Sequence, residues 1–118
     1  MKTTEQALEL LPEELGVEII TVREPEELRL RLGRKPTALY NGVEKQIGSK
    51  EVNESAIRKI LERATGASLY SHSGEIRHGY INYHGLRIGV CGDAVLQNGT
   101  VTGFRNISSL PLCPHPAA

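Results

Sequence analysis

The sequence predicts an α+β fold, a small antiparallel sheet with helices packed on it, in one domain over residues 1–110. Three observations predict it. Leu28–Leu32 alternates as LRLRL, which sets leucines on one face of a strand and Arg29 and Arg31 on the other. Asn41-Gly42 and Asn98-Gly99 each separate two runs with strand character, and Asn-Gly favours tight hairpins because both turn positions take positive φ. Between them, Ile57, Ile60, Leu61 and Ala64 recur at helical spacing behind Asn53, a good N-cap, and ahead of Gly66, a good terminator. Hairpins instead of crossovers mean antiparallel pairing.

In chain order, Thr3 to Gly16 reads as a broken helix. Thr3 or Thr4 caps it, Ala7, Leu8, Leu10, Leu11 and Leu15 supply its stripe, and Pro12 starts a second turn. Val17–Val22 is β-branched and apolar but stops at Pro25, and its state is open. Strands follow at Leu28–Leu32, Thr37–Tyr40 and Val43–Ile47, then the capped helix, then a short helix between Leu69 and His78. Four more strands are expected at Tyr80–Tyr83, Leu86–Cys91, Ala94–Gln97 and Thr100–Phe104. Residues 111–118 close an end rich in proline, which predicts a flexible tail or a connection to a missing domain.

Fourteen Lys plus Arg balance fourteen Asp plus Glu across 118 residues, but not evenly. Residues 1–27 carry a local charge of −6 and residues 28–118 carry +6, which suggests two differently charged faces or a surface that meets a partner. Overall neutrality argues against a generic polyanion binder. Five aromatic residues and no Trp leave Leu, Ile and Val to build the core. No run is long and apolar enough for a membrane span, and the acidic N-terminus lacks a signal peptide's apolar stretch. With only two cysteines, the expected location is the cytoplasm. Cys91 is expected as a small core residue of its strand.

Most catalytic templates fail. There is no GxxxxGK[ST] phosphate loop, no GxGxxG opening a helix, and no HExxH, CxxC pair or GxSxG. His72, His78 and His84 recur every six residues, which matches neither a helix face nor a common zinc arrangement. No metal ligand and no catalytic residue is assigned.

Three blocks, ELRLRLGRKP at 27–36, SLYSHSGEIRHGYI at 68–81 and HGLRIGVCGDAVLQNGTVTGFRNISSL at 84–110, are more informative together. In this order and spacing, with the LPEEL segment at 11–15, they resemble the N-terminal region of the stage III sporulation protein AA family. Those proteins are ATPases of endospore-forming bacteria, similar to the ATPases of type II and type IV secretion. Two departures stand out. The family's glutamate-rich run is reduced here to Ser71-His-Ser-Gly-Glu75, and the chain ends in PLCPHPAA where the family continues into a nucleotide-binding domain.

The resemblance implies a PAS-like N-terminal domain that is itself non-catalytic. It would pack on its own ATPase domain and on neighbouring subunits of a hexameric ring, at the inner face of a membrane export complex built during sporulation. ATP and Mg are implied for the full-length protein, and no cofactor for this fragment. Late-strand arginines of such domains can reach nucleotide phosphates in trans, and Arg87 and Arg105 are the matching positions here. A guanidinium fork suits that task, being permanently charged and matched to phosphate oxygens. The alternative for both is a solvent-facing strand cation. For Arg87, Gly89 on the same face is expected to leave room for a close partner. Arg29, Arg31 and Arg77 are candidate subunit-interface residues, with a solvated strand face as the alternative for the first two. An independent nucleic-acid module, from the +6 region, and a small-ligand sensor remain as other readings; the first lacks an arranged aromatic platform, and no nucleic acid is expected.

Overall fold

The computed structural model describes residues 3–18, 24–66 and 73–114. Helix α1 spans Thr3–Leu10 and is followed by a single 3-10 turn at Glu13–Leu15. Pro12, at φ −61°, precedes this turn, and Gly16 closes it in the left-handed region at φ 58°. The sheet begins with β1 (Glu27–Arg31), β2 (Thr37–Tyr40) and β3 (Val43–Gln46). Helix α2 (Glu54–Thr65) and the short α3 (Ser73–Arg77) come next. Four strands follow: β4 (Tyr80–Tyr83), β5 (Leu86–Gly89), β6 (Cys91–Gln97) and β7 (Thr100–Pro114). Of Val17–Val22, residues 19–22 lie outside the described residues, as do 67–72 ahead of α3.

Local chemistry sets the elements where the sequence placed them. Asn53 accepts a hydrogen bond at Oδ1 from the Ala56 amide at 2.8 Å, and Gly66 ends α2 at φ 62°. Asn41, Gly42, Asn98 and Gly99 all have positive φ, as two-residue hairpin turns of the primed type require.

The strands pair in the order β3-β2-β1-β7-β5-β4, with β6 pairing β7 off this path; every ladder among these described strands is antiparallel, and Leu32 and Val52 form an isolated parallel bridge. Register builds the core. Ala38, Leu28, Leu112, Ile88 and Ile81 stand opposite one another across five consecutive strands. All five are buried, and Leu30, Leu86 and Leu110 flank them. Onto this face pack Ala7, Leu10, Leu11 and Leu15 from the N-terminal helical segment and Ala56, Ile57, Ile60 and Ala64 from α2. Ile76 of α3 packs against the same cluster, so all three helices contribute to one face. The Tyr83 hydroxyl donates to Glu9 at 2.9 Å, tying β4 to α1.

Four expectations are corrected. The strand expected at Leu86–Cys91 ends at Gly89, and Cys91 opens β6 as an exposed residue. Among the described residues β6 pairs only with β7, in a two-stranded ribbon with no second layer to bury it. The domain does not stop at residue 110 either. β7 continues through Pro114 in the middle of the sheet, between β1 and β5, with Leu112 fully buried; residues 115–118 lie outside the described residues. Proline is disfavoured inside a sheet because it lacks a ladder N–H. Pro111 is accommodated because Gly89 stands beside it: a β-carbon at Gly89 would lie 2.8 Å from Pro111 Cγ. The same contact fills the room that Gly89 was expected to leave beside Arg87.

Candidate functional site

Because side chains alternate along a strand, the residues between the core leucines emerge on the opposite face. There β1 presents Glu27, Arg29 and Arg31, β7 presents Pro111 and Cys113, β5 presents Arg87, and β4 presents Tyr80 and Asn82. This polar face is the candidate site.

Its arginines fall into two groups. Arg29 Nε donates to Glu27 at 2.7 Å and its Nη1 to Glu44 at 2.6 Å. Arg31 Nη2 donates to the other oxygen of Glu44. One carboxylate on β3 thus clamps two guanidinium groups on β1 across β2. The Glu27 hydrogen bond, then that of Glu44, raises the Arg29 pKa, while Arg31 and then Arg29 hold the Glu44 carboxyl below its usual value. Two cations of the basic region are therefore engaged by acids of the same chain. That weakens the basic stripe on which a nucleic-acid module would depend.

Arg87 forms the second group. It is half-buried, and its guanidinium carbon lies 4.4 Å from the centroid of the Tyr80 ring, in cation–π geometry. The two residues stand on neighbouring strands, with Tyr80 opposite Gly89 and Asn82 opposite Arg87. On the other side Cys113 stands opposite Arg87, its thiol within 3.8 Å of the Arg87 carbonyl oxygen. Burial pushes the Cys113 thiol pKa up, the Glu27 carboxylate adds to the rise, and Arg87 opposes it. Glu27, Cys113 and Arg87 thus make a continuous line across β1, β7 and β5.

Arg105 does not join them. It is exposed on the ribbon, opposite Asp93. Along β7 it lies eight positions before Cys113, the neighbour of Arg87, beyond the register shift of the β6–β7 pair and the positive φ of Asn106. Arg77 is exposed at the end of α3, away from the β1 pair in sequence and element. Of the histidines, His78 stacks near Tyr80 and His84 packs edge-on against Tyr83, while His72 lies outside the described residues. Among the described residues no three His, Cys, Asp or Glu side chains converge as metal ligands would.

The sequence reading missed Glu27, Glu44 and Tyr80 as partners of the arginines. The signal for Glu44 was present: the Asn41-Gly42 turn fixes the β2–β3 register, which sets Glu44 opposite Leu39, itself opposite Glu27.

The three sequence blocks run through β1, α3, β4, β5, β6 and β7, so the resemblance they carry follows the sheet that builds this face. A family profile described as "Sporulation stage III, protein AA" matches residues 4–114. The chain belongs to the stage III sporulation protein AA family. It is 30% identical over 109 residues to "Stage III sporulation protein AA" of Bacillus subtilis (strain 168), an alignment covering 92% of this chain and 33% of that relative. The chain therefore spans about one third of the curated stage III sporulation protein AA that it matches. No solved structure matches. No helix among the described residues is long and apolar enough to cross a membrane.

Proposed function

We propose that this chain is the non-catalytic N-terminal domain of a sporulation stage III AA-type ATPase, acting in ring assembly and in sensing nucleotide held by an ATPase domain. The observation that carries the reading is the family match over residues 4–114, combined with a relative three times as long. The chain has no phosphate loop, so its residues do not fit ATP and Mg as groups of its own. Likeness to PAS-like secretion-ATPase domains and a place at the cytoplasmic side of a membrane complex belong to the same reading.

Arg87 is the better nucleotide-sensing residue of the two. Stacking on Tyr80 limits the orientations of its guanidinium plane, and a fixed fork of N–H donors loses less entropy when it meets phosphate oxygens. An arginine supplied across a domain boundary makes hydrolysis depend on how the domains are arranged. Arg105, on the ribbon, suits a contact between subunits instead. The clamp of Arg29 and Arg31 by Glu44 stiffens β1–β3 as one rigid surface against which a neighbour can pack.

The test is ATP turnover by the whole protein that joins this domain to its ATPase domain. Arg87→Ala is expected to lower kcat at least tenfold while the melting temperature of the isolated 118-residue chain stays within a few degrees of wild type. Unchanged turnover in the variant refutes the role of Arg87. Hydrolysis by the isolated chain refutes the non-catalytic reading.

A further inference from the structure

Among the described residues β3, β4 and β6 each have an unpaired edge, as does the ribbon segment of β7, which carries Arg105 and the irregular Asn106, and these edges differ in how they are guarded. β3 is short, four residues, and carries Glu44 and Lys45. β4 is also four residues long, and the outward amide of Asn82 is capped by the Glu75 carboxylate at 2.7 Å. Charge, shortness and a capped amide are the devices by which sheets avoid pairing with other chains. β6 has the least of this, a single charge that is already engaged. It runs for seven residues without Lys, Arg or Pro, and its single charged residue, Asp93, accepts a hydrogen bond from Asn106 at 2.9 Å. Six of its seven residues are exposed and Val95 is half-buried. Leu96, 61% exposed, is the most exposed large apolar residue of the molecule among those described.

We propose that the free edge of β6 is a self-association surface, where β6 of a second copy adds antiparallel to form one continuous sheet through two ribbons. The strand's own pattern argues for a second copy over an unrelated peptide. In an antiparallel pair of identical strands the two-fold axis must pass through a residue, so that opposed side chains share a face. With the axis at Ala94, Asp93 stands opposite Val95; with the axis at Val95, it stands opposite Gln97. In neither does the one charge of the strand meet its own kind, which would disfavour the pair. Either axis also places Leu96 opposite a small residue of the second copy, Gly92 or Ala94, where its apolar surface is covered without a clash. This contact is two-fold and cannot by itself generate a ring, so it is separate from the subunit contacts of the proposed function and stands without them.

Sedimentation of the 118-residue chain over a wide concentration range tests the contact. The weight-average mass should rise from 12.9 kDa towards twice that value. Leu96→Lys places a charge on the edge and is expected to raise the dissociation constant at least tenfold. Val43→Lys is the control: Val43 is 56% exposed but lies on the guarded β3 edge, so its dissociation constant should match wild type. Hydrogen exchange of amides within 91–97 should slow at least tenfold at dimer concentrations, in wild type and Val43→Lys alike. A chain that stays monomeric at millimolar concentration overturns the proposal. So does association that both variants weaken equally, or that leaves exchange within 91–97 unchanged, or capture of an unrelated extended peptide by a monomeric chain at that edge.

Discussion

Leu112→Ala separates two incompatible accounts of the C-terminal residues. Leu112 lies in PLCPHPAA, a segment whose prolines predict a tail, yet its side chain is fully buried between Leu28 of β1 and Ile88 of β5. In a flexible tail the substitution removes nothing and stability stays within about 0.5 kcal/mol of wild type. In the centre of the sheet it removes three carbon atoms from water-free surroundings, roughly 2.4 kcal/mol at about 0.8 kcal/mol per methylene. The cavity left behind adds to this, because strands held on both sides collapse only in part, and buried Leu→Ala changes cost about 2.7–5 kcal/mol. We expect a loss of about 3 kcal/mol. With a urea slope of about 1.5 kcal/mol/M for a domain of this size, the unfolding midpoint should fall by about 2 M. Equilibrium urea unfolding followed by circular dichroism reads this directly, provided the slope is unchanged. A midpoint within about 0.3 M of wild type would refute the placement of β7 between β1 and β5.

Two further outcomes follow from local geometry. Gly92→Ala should destabilise the chain by about 1–3 kcal/mol, because its β-carbon would sit 2.8 Å from the Arg105 carbonyl oxygen and 2.9 Å from Ile107 Cα. Gly103→Ala on the facing strand meets nothing within 4 Å and should change stability by less than about 0.5 kcal/mol, measured in the same urea series. Glu44→Gln tests the arginine clamp through pH. The folded carboxyl lies below its ordinary value of 4.5, so its contribution is fully present above that value and is lost as pH falls through the folded pKa. The stability gap between wild type and variant should therefore be open at pH 7 and close below pH 4.5; a gap independent of pH would contradict the clamp.

The candidate site was half legible. Alternation in LRLRL placed Arg29 and Arg31 on one face, and alternation in LRIG at 86–89 placed Arg87 and Gly89 on one face, because a period of two is fixed by the strand backbone itself. What these arginines meet was not legible. Glu44 reaches them across an intervening strand, and Tyr80 reaches Arg87 only because β4 and β5 pair in one register. The room read beside Gly89 illustrates the limit: a small residue announces a close approach, but not by whom, and here Pro111 of the same chain takes it.

By itself the sequence determined what depends on neighbours along the chain. The Asn53 cap, the Gly66 stop, the Asn-Gly turns and the alternating faces are set by local torsions and hydrogen bonds a few residues apart. Tertiary structure decided what depends on distant partners. Cys91 is exposed because its strand leaves the sheet for a ribbon, and the proline-rich end is a central strand because burying Leu110 and Leu112 between β1 and β5 outweighs the ladder bond that Pro111 cannot make. Local propensity weighs each residue by its own preferences, whereas the sheet weighs Pro111 together with the two leucines that flank it.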